Sequence, residues 1–470
     1  AFRAEELAER FGLAPADAAA RIERWAAEGR IEPAPFEGPG SPYWTSRKVA
    51  ARLVRLSLAA VRGGSAPVEP ARWQRLLLAR HGLDRPAAAA GPEALRAALA
   101  PLQGLFLPAT QWETSILPAR LPGYRKDELD LLCASGELVW LGRRRPGEKE
   151  GRVAFFLAES ERLLEGALSF GGPGADSESA HPELLELLRR KGASFLTRLS
   201  ADAGEPPSAL LPKLVELVWE GRVANDQFAP IRNFLLAKGK LHPKLGSGHG
   251  RWYAVEPPTR EPQAEQERAV AWSKQLLRAF GGVTGSLVNA YAPFGWDAAQ
   301  PLFRQLEEWG VVSRGLFVAG VPTLQFMERE AVSALRGWER DASGSAAGAL
   351  LVGATDPAVP YGVAVPWPDA PGADFARKAG NFLVFAQGEW AYWIESNGKH
   401  IVRVADNGDE DGAVLLGALK QLLRRGGLKR IRIETWNGSR AADVDGVRVL
   451  LDRGADRDGG ALVLWPSSLG

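Results

Sequence analysis

The sequence predicts an α+β protein of several domains, in which tandem helical modules precede a β-barrel-like domain that carries one helix. The main observation is an ending that recurs four times: an amphipathic run, a glycine and then a β-prone residue. The glycines are Gly29, Gly136, Gly221 and Gly310. Beyond about Gly348 the pattern changes to short segments typical of strands. The 470 residues also exceed one ordinary hydrophobic core, so several domains are expected.

The first 62 residues predict a winged-helix module, which is a helix–turn–helix followed by a β-hairpin. Glu5–Phe11 and Pro15–Ala27 are the predicted helices, since a proline suits a first helical turn and apolar residues follow at helical spacing. Gly29 suits the left-handed residue that ends a helix, and Arg30-Ile31 begins an extended segment. The helix that normally precedes this pair is missing, and the single methionine is Met327. We therefore expect the chain to be part of a longer protein.

Three further copies are predicted at 92–170, 171–258 (with a linker) and 259–338, after a helical linker at 63–91. In each copy a third helix, in the position of a recognition helix, ends at the recurring glycine. For the copy at 92–170, the predicted helices and wing strands are Glu93–Leu102, Gln111–Leu117, Tyr124–Ala134, Leu138–Gly142 and Arg152–Leu157. In the last two copies the third helices are Ser208–Trp219 and Trp296–Trp309. Trp25, Trp219 and Trp309, near the ends of these helices, are expected in module cores.

The last domain, at 339–470, is predicted to be barrel-like. Its helix is Gly412–Arg425, which ends before two glycines. The predicted strands are Ala349–Ala354, Gly362–Val365, Asn381–Ala386, Glu389–Glu395, His400–Val404, Lys429–Glu434, Val447–Leu451 and Ala461–Trp465.

Composition and motifs exclude several classes of function. Hydrophobic residues make up 46% of the chain and charged residues 24%, as in globular proteins, and no apolar run suits a membrane span. No G-x-x-x-x-G-K-[ST] motif occurs, so we expect neither an ATPase nor a bound cofactor in this segment. Five scattered histidines predict no metal site. The single cysteine, Cys133, is expected to be an inert core thiol in a cytoplasmic protein.

A net charge of +2 means that any nucleic-acid site must be local. The best-placed candidate is the predicted wing turn, whose cations are Arg143, Arg144, Arg145 and Lys149. Wings often touch backbone phosphates, although Glu148 and Glu150 dilute this charge. A second candidate is a basic stripe on one helical face, formed by Lys48, Arg52, Arg55 and Arg62. That stripe is alternatively a solvated face or a docking surface for an acidic patch.

One carboxylate has an unusual setting. Asp356 is followed by a proline and then by Pro360-Tyr361-Gly362, so it lies in a rigid, turn-rich segment between strands. Two interpretations stay open for it. Its side chain caps its own turn, or it is a catalytic carboxylate that activates water.

Three stretches resemble the C-terminal region of the bacterial large helicase-related proteins, Lhr. They are "LQGLFLPATQWETSILPARLPGYRKDELDLLCASGELVWLG" (Leu102–Gly142), "SRGLFVAGVPTLQFMEREAVSALR" (Ser313–Arg336) and "ATDPAVPYGVAVPWP" (Ala354–Pro368). Their order and spacing fit that family, and the resemblance covers nearly the whole chain. The sequence departs from the family after about Gly438.

The resemblance implies the tail of a superfamily 2 DNA helicase, which is ATP-dependent, moves 3′→5′ on single-stranded DNA and is linked to DNA repair. ATP and Mg would belong to a helicase core upstream of this segment. The family's C-terminal region is a series of winged-helix modules plus a β-barrel, similar in architecture to AlkZ-type DNA glycosylases. It is associated with assembly into oligomers, and a tetramer is the expected form. AlkZ-type enzymes use a Q-x-Q motif, which this sequence lacks; Gln325 is a lone glutamine.

Three hypotheses stay open for the function. The first is a non-catalytic module for oligomerisation and for binding nucleic acid, with single-stranded or forked DNA as partner. The alternative is a DNA glycosylase that excises uracil or an alkylated base with a carboxylate such as Asp356. The third is a scaffold that binds only proteins, which the small net charge allows.

Overall fold

In the computed structural model, four modules of one topology precede a strand-rich domain. The structure describes residues 1–34, 43–50, 52, 66–86, 90–170, 178–237, 249–258, 261–337, 348–405, 412–444 and 447–469. The first module contains α1 (Ala4–Phe11), α2 (Pro15–Ala27), β1 (Ile31–Pro33) and β2 (Trp44–Ser46). Strand β2 pairs with β1 and also forms a bridge to Phe2, so the second wing strand is central.

The second module has the same arrangement with more complete strands. The linker helix before it is α3 (Pro70–Arg80). The module itself comprises α4 (Pro92–Leu99), β3 (Leu107–Pro108), a π-helical turn (Trp112–Ile116) that continues into α5 (Leu117–Arg120), the recognition helix α6 (Lys126–Ala134), wing strands β4 (Leu138–Arg143) and β5 (Arg152–Leu157), and α7 (Glu161–Ser169). Its strand order is β3-β5-β4. The predicted helices and wing strands of this copy are confirmed to within a few residues at their ends.

The third and fourth modules repeat this order, with β8 and β11 as central strands, except that the third has an extra helix between its two wing strands. The third contains α8 (Pro182–Lys191), β6 (Ser194–Phe195), α9 (Leu196–Ala203), α10 (Pro207–Trp219), β7 (Val223–Asn225), α11 (Ala229–Leu236) and β8 (Arg251–Ala254). The fourth contains α12 (Pro262–Phe280), β9 (Gly282–Val283), α13 (Gly285–Tyr291), α14 (Trp296–Glu308), β10 (Val312–Gly315), β11 (Gln325–Glu328) and α15 (Arg329–Arg336). The recognition helices of these two modules are therefore α10 and α14.

The recurring glycine has the predicted left-handed conformation in all four modules. Its φ is 66° at Gly29, 79° at Gly136, 74° at Gly221 and 74° at Gly310. In three modules the amide after the glycine also bonds back across the helix end, in the pairs Arg30–Trp25, Arg222–Leu217 and Val311–Leu306. A glycine at this position ends a helix without the steric cost of a Cβ atom, and the chain can then turn into the wing.

Among its described residues, the last domain contains two sheets and two α-helices. Its elements are β12 (Leu350–Gly353), β13 (Phe382–Ala386), β14 (Glu389–Glu395), β15 (His400–Arg403), α16 (Ala413–Gly426), β16 (Ile431–Ile433), β17 (Thr435–Trp436), β18 (Ser439–Arg440), α17 (Arg448–Asp452), β19 (Asp456–Asp458) and β20 (Ala461–Leu464). One sheet has the order β12-β13-β14-β15-β17-β18 and the other β16-β20-β19. Strands β15 and β17 are parallel.

The prediction of a barrel is not supported, because neither sheet closes among the described residues. The physical reason is visible at the edge strand β12, which a helix covers instead of another strand. From α16, Gln421 donates to the carbonyl of Ala349 at 2.5 Å and Arg425 donates to the carbonyl of Leu351 at 3.1 Å. These bonds occupy carbonyls that a further strand would need.

Two of the predicted strands in this domain are wrong. The segment predicted as strand Val447–Leu451 is mostly helix α17, because Val447 and Leu450 lie three residues apart and are both buried. The segment Gly362–Val365 is a tight turn, in which the N–H of Gly362 donates to the carbonyl of Val365 at 2.7 Å.

One large core joins the linker helix, modules two to four and one face of the six-stranded sheet. Alternate residues of β13 divide between the two faces: Leu383 and Phe385 join this core, whereas Val384 and Ala386 pack with α16 and the smaller sheet. The six-stranded sheet is thus a layer between the modules and α16. No helix within the described ranges combines the length and apolar character needed to cross a membrane.

Candidate nucleic-acid interface

The turn between β4 and β5 carries three exposed cations, Arg144, Arg145 and Lys149. Its two carboxylates have partners inside the module. Glu148 accepts from Arg152 Nε at 2.9 Å and from the backbone N–H of Arg145 at 3.1 Å. Glu150 accepts from the backbone N–H of Thr110 at 2.7 Å and from its hydroxyl. The cations therefore face solvent while the carboxylates, expected to dilute them, are engaged elsewhere.

The fourth predicted cation of this wing, Arg143, is directed inward. Its guanidinium lies 4.4 Å from the centre of the Phe106 ring and donates to the carbonyl of Ala167 on α7. Burial lowers the pKa of Arg143 to about 10, so it stays protonated at neutral pH. Arg143 thus fastens the wing to the module, and the three cations beyond it form the exposed group.

The second predicted basic group is only partly described. Lys48 and Arg52 are exposed and lie in a helical segment directly after β2. Arg55 and Arg62 lie outside the described residues. The structure therefore does not test whether these four cations share one helical face.

The strand ends next to this turn pack against the recognition helix of the next module. Trp219, at the end of α10, lies between Gly142 and Gly151, and a Cβ at Gly151 would overlap its ring. The backbone N–H of Arg144 donates to the carbonyl of Trp219 at 3.0 Å. The two wing glycines thus let the indole approach the strand backbone closely.

An ionic cluster also joins these two modules. Arg232 on α11 donates to Glu113 at 2.5 and 2.8 Å and to Asp130, on the recognition helix α6, at 2.8 Å. Asp130 also accepts from the N–H groups of Phe228 and Ala229 at 2.9 and 2.8 Å, so it caps the start of α11 from another module. Burial alone would lower the pKa of Arg232, but these carboxylates raise it.

Asp356 lies in the core and forms an ion pair there. Its side chain is 2% exposed and accepts two bonds from Arg120, at 2.7 and 2.9 Å, while one oxygen also accepts from the N–H of Ala358 at 2.9 Å. Burial would raise the pKa of Asp356, but the Arg120 guanidinium outweighs it and the pKa is lowered. Asp356 therefore caps its own turn and also binds a distant helix, which is what a structural carboxylate does. A catalytic role for it stays a prediction.

His81 extends this network to the linker helix and the fourth module. A guanidinium can only donate, so His81 Nδ1 accepts from Arg120 at 3.2 Å and Nε2 donates to the carbonyl of Ala279 at 3.0 Å. Burial, and then the charge of Arg120, lowers the pKa of His81 to about 3. The ring is therefore neutral at physiological pH.

Arg377 organises the segment after Asp356 and was not predicted. Its guanidinium donates to the carbonyls of Asp356, Val359 and Tyr361 at 3.2, 2.7 and 3.0 Å, and to the hydroxyl of Tyr291 at 2.9 Å. No local pattern around Arg377 distinguishes it from a surface arginine. For Arg120 a signal existed, since it stands among apolar residues in "SILPARLPG".

Other predicted residues have structural positions. The side chain of Gln325 binds the backbone of Phe317 and Val318 at 2.9–3.1 Å and shapes the fourth wing. Cys133 is buried, and burial raises its pKa, as expected for an inert thiol. Trp309 is 60% exposed, so its predicted place in a module core is wrong. In the part of the chain that the structure describes, no group of three His, Cys, Asp or Glu side chains is placed to hold a metal ion.

Residues 68–158 and 262–347 match two family models, both described as winged-helix domains of large helicase-related proteins. Lhr helicase/probable uracil glycosylase of Mycolicibacterium smegmatis is 30% identical over 475 residues, which covers 94% of this chain and 31% of that protein. Lhr helicase/uracil glycosylase of Escherichia coli is 28% identical over 469 residues, which covers 90% of this chain and 30% of that protein. The chain thus spans about a third of the length of these curated relatives.

Among solved structures, the DNA glycosylase AlkZ of Streptomyces sahachiroi aligns with 78% of this chain and 99% of its own. The TM-score is 0.47 and the sequence identity is 13%. The resemblance to the C-terminal region of large helicase-related proteins is confirmed by the family models and the two relatives.

Proposed function

We propose that this chain, whose second and fourth modules belong to the winged-helix domains of large helicase-related proteins, is the nucleic-acid-binding C-terminal region of a DNA helicase. The complete protein would be an ATP-dependent 3′→5′ helicase that acts in DNA repair, with ATP and Mg bound in its upstream core. This region would have no catalytic activity of its own. Its partner would be single-stranded or forked DNA.

The observation that carries this proposal is the wing turn of the second module. Its exposed cations are Arg144, Arg145 and Lys149, and the neighbouring carboxylates are occupied by internal partners. Cations without a competing carboxylate can displace the counterions of a phosphate backbone, and this release drives binding.

Anisotropy with a labelled single-stranded oligonucleotide tests the proposal. We expect the wild-type chain to bind, and its affinity to fall steeply as salt is raised. The triple variant Arg144→Glu, Arg145→Glu, Lys149→Glu should bind at least about tenfold more weakly. A control with the same change in net charge is Arg190→Glu, Lys274→Glu, Arg278→Glu, whose sites are exposed cations on α8 and α12. Equal losses in the two variants would contradict a site at the wing.

Oligomerisation through this region is the second part of the proposal. It is supported by four large apolar residues of the fourth module that are unusually exposed: Trp309 at 60%, Val311 at 48%, Leu316 at 56% and Leu324 at 47%. Native mass spectrometry of the chain should give an oligomer, with a tetramer as the expected form. A strictly monomeric mass at micromolar concentration would contradict assembly.

A second candidate function is excision of a damaged base by Asp356 acting on water. The names of both relatives include uracil glycosylase, which favours uracil as the base. For this activity the carboxylate would have to leave its buried pair with Arg120. Incubation of a uracil-containing oligonucleotide with the wild-type chain, followed by alkali, should then give strand cleavage. An intact oligonucleotide would dispose of this candidate.

A further inference from the structure

The exposed charge of the four recognition helices differs from that of the wing. On α2, two arginines are balanced by two carboxylates: Asp17, Arg21, Glu23 and Arg24. On α6 the exposed charges are one lysine and one carboxylate, Lys126 and Asp127, whereas Glu128 and Asp130 are half-buried and Asp130 pairs with Arg232. On α14 one exposed arginine stands against two exposed carboxylates, Arg304 against Asp297 and Glu308, whereas Glu307 is buried and pairs with Arg314. A helix in the major groove lies between two phosphate backbones, so exposed charge that is balanced or net negative does not favour that position.

Helix α10 is excluded by burial rather than by charge. Seven of its thirteen residues are buried, and these include Trp219 beneath the second wing. Its two charged residues already have partners. Lys213 donates to Glu205 at 2.7 Å, and Glu216 accepts from His181 at 2.6 Å. The side that remains exposed has no unpaired charge with which to reach a base or a phosphate.

The wings also differ from each other. The fourth wing turn, at 316–324, has no charged residue. Residues 35–42 of the first wing and 238–248 of the third lie outside the described ranges. The second wing turn combines three exposed cations with strand ends that are held firmly in place. These strand ends are held by the contact between Arg143 and Phe106 and by the bond from the N–H of Arg144 to the carbonyl of Trp219. Its cations are therefore presented from a fixed backbone.

We infer that, among the described elements, the second wing is the DNA contact and that the four recognition helices do not read bases. This inference rests on the proposed function. The ligand class is the phosphodiester backbone, bound without regard to base sequence, because arginine and lysine bind phosphate oxygens and such contacts carry no direct sequence information. Modules two and three would then hold this one wing in a fixed position, with α10 packed against Gly142 and Gly151 of the wing.

The experiment compares two triple variants that change the net charge equally. The wing variant is Arg144→Glu, Arg145→Glu, Lys149→Glu, and the helix variant is Arg21→Glu, Arg24→Glu, Arg304→Glu. Each is titrated in the full chain against two duplexes of equal length and unrelated sequence, and against a single strand, at several salt concentrations.

For the wild type we expect the two duplexes to bind within about twofold of each other, as backbone binding requires. The wing variant should lose at least about tenfold in affinity and about two to three units in the slope of log K against log salt, corresponding to three lost phosphate contacts. The helix variant should stay within about threefold of the wild type. A helix variant as weak as the wing variant, or a tenfold preference for one duplex, would overturn the inference while leaving DNA binding intact. Absence of wild-type binding to any of the three ligands would instead overturn the proposed function.

Discussion

At the scale of single residues, the pair of Arg120 and Asp356 joins the second module to the last domain. Both side chains are almost completely buried, at 1% and 2% exposed. We predict that Asp356→Asn lowers the free energy of unfolding by about 3–5 kcal/mol, because it leaves a guanidinium charge buried without a counterion. Urea denaturation measures this. The control Asp127→Asn removes an exposed pair with Arg125, which solvent screens, and it should leave the urea midpoint nearly unchanged.

His81 makes the same junction sensitive to pH. Its pKa is lowered from 6.5 to about 3, so between these values the unfolded chain binds a proton that the folded chain does not. Stability therefore falls as the pH drops below 6.5, by about 2 kcal/mol between pH 7 and pH 5. The variant His81→Gln lacks the titrating ring and should lose this part of the pH dependence. Urea midpoints at both pH values test it, and an equally steep fall in the variant would show that other groups cause the effect.

At the scale of elements, each recognition helix ends at a glycine whose role is purely conformational. Gly136 has φ 79°, and a Cβ added there would meet no atom within 4 Å. We predict that Gly136→Ala weakens the local structure by about 1 kcal/mol because of backbone strain alone. Hydrogen exchange in β4 and β5 should be faster by the corresponding factor of about five. Gly136→Asn is the matched variant and should cost less, since asparagine tolerates this conformation; equal costs would argue against strain.

The predicted elements show which patterns are reliable. Helices ending at Gly29 and Gly310 followed from amphipathic spacing and a left-handed residue, both of which act within a few positions of the chain. The segment Val447–Leu451 failed because its β-branched residues favour a strand, whereas burial of Val447 and Leu450 on one side requires a helix. Local propensity was outweighed there by contacts with the rest of the domain.

At the scale of the whole molecule, modules two and three are fastened into one unit by Arg232 and by the wing contact with Trp219. We predict that Arg232→Met weakens the contact between modules two and three. The substitution leaves two largely buried carboxylates, Glu113 and Asp130, without their cation. Hydrogen exchange should then increase together in α6 and α11. The control Arg189→Met breaks an exposed pair with Glu256 in the same module and should leave both helices protected. Faster exchange in α11 alone would mean that the modules open independently.

Part of the candidate site could be predicted from the sequence, and part could not. The wing cations were identified from their position between two predicted strands, but the inward direction of Arg143 and the engagement of Glu148 and Glu150 were not. Arg377 carries no local signal at all. Its partners are carbonyls of a segment 16–21 residues away and a hydroxyl 86 residues away, and such contacts leave no pattern in the neighbouring sequence.

The sequence by itself determined the number of modules, their internal order of helix and wing, and the change to a strand-rich last domain. These depend on periodicity and glycine conformation, which are interactions between near neighbours in the chain. The tertiary structure alone decided which recognition helix is covered, which cations remain exposed and that the last domain consists of open sheets. Those outcomes depend on pairs such as Arg120 with Asp356, which are 236 residues apart, because burial is set by whatever distant surface packs against a residue.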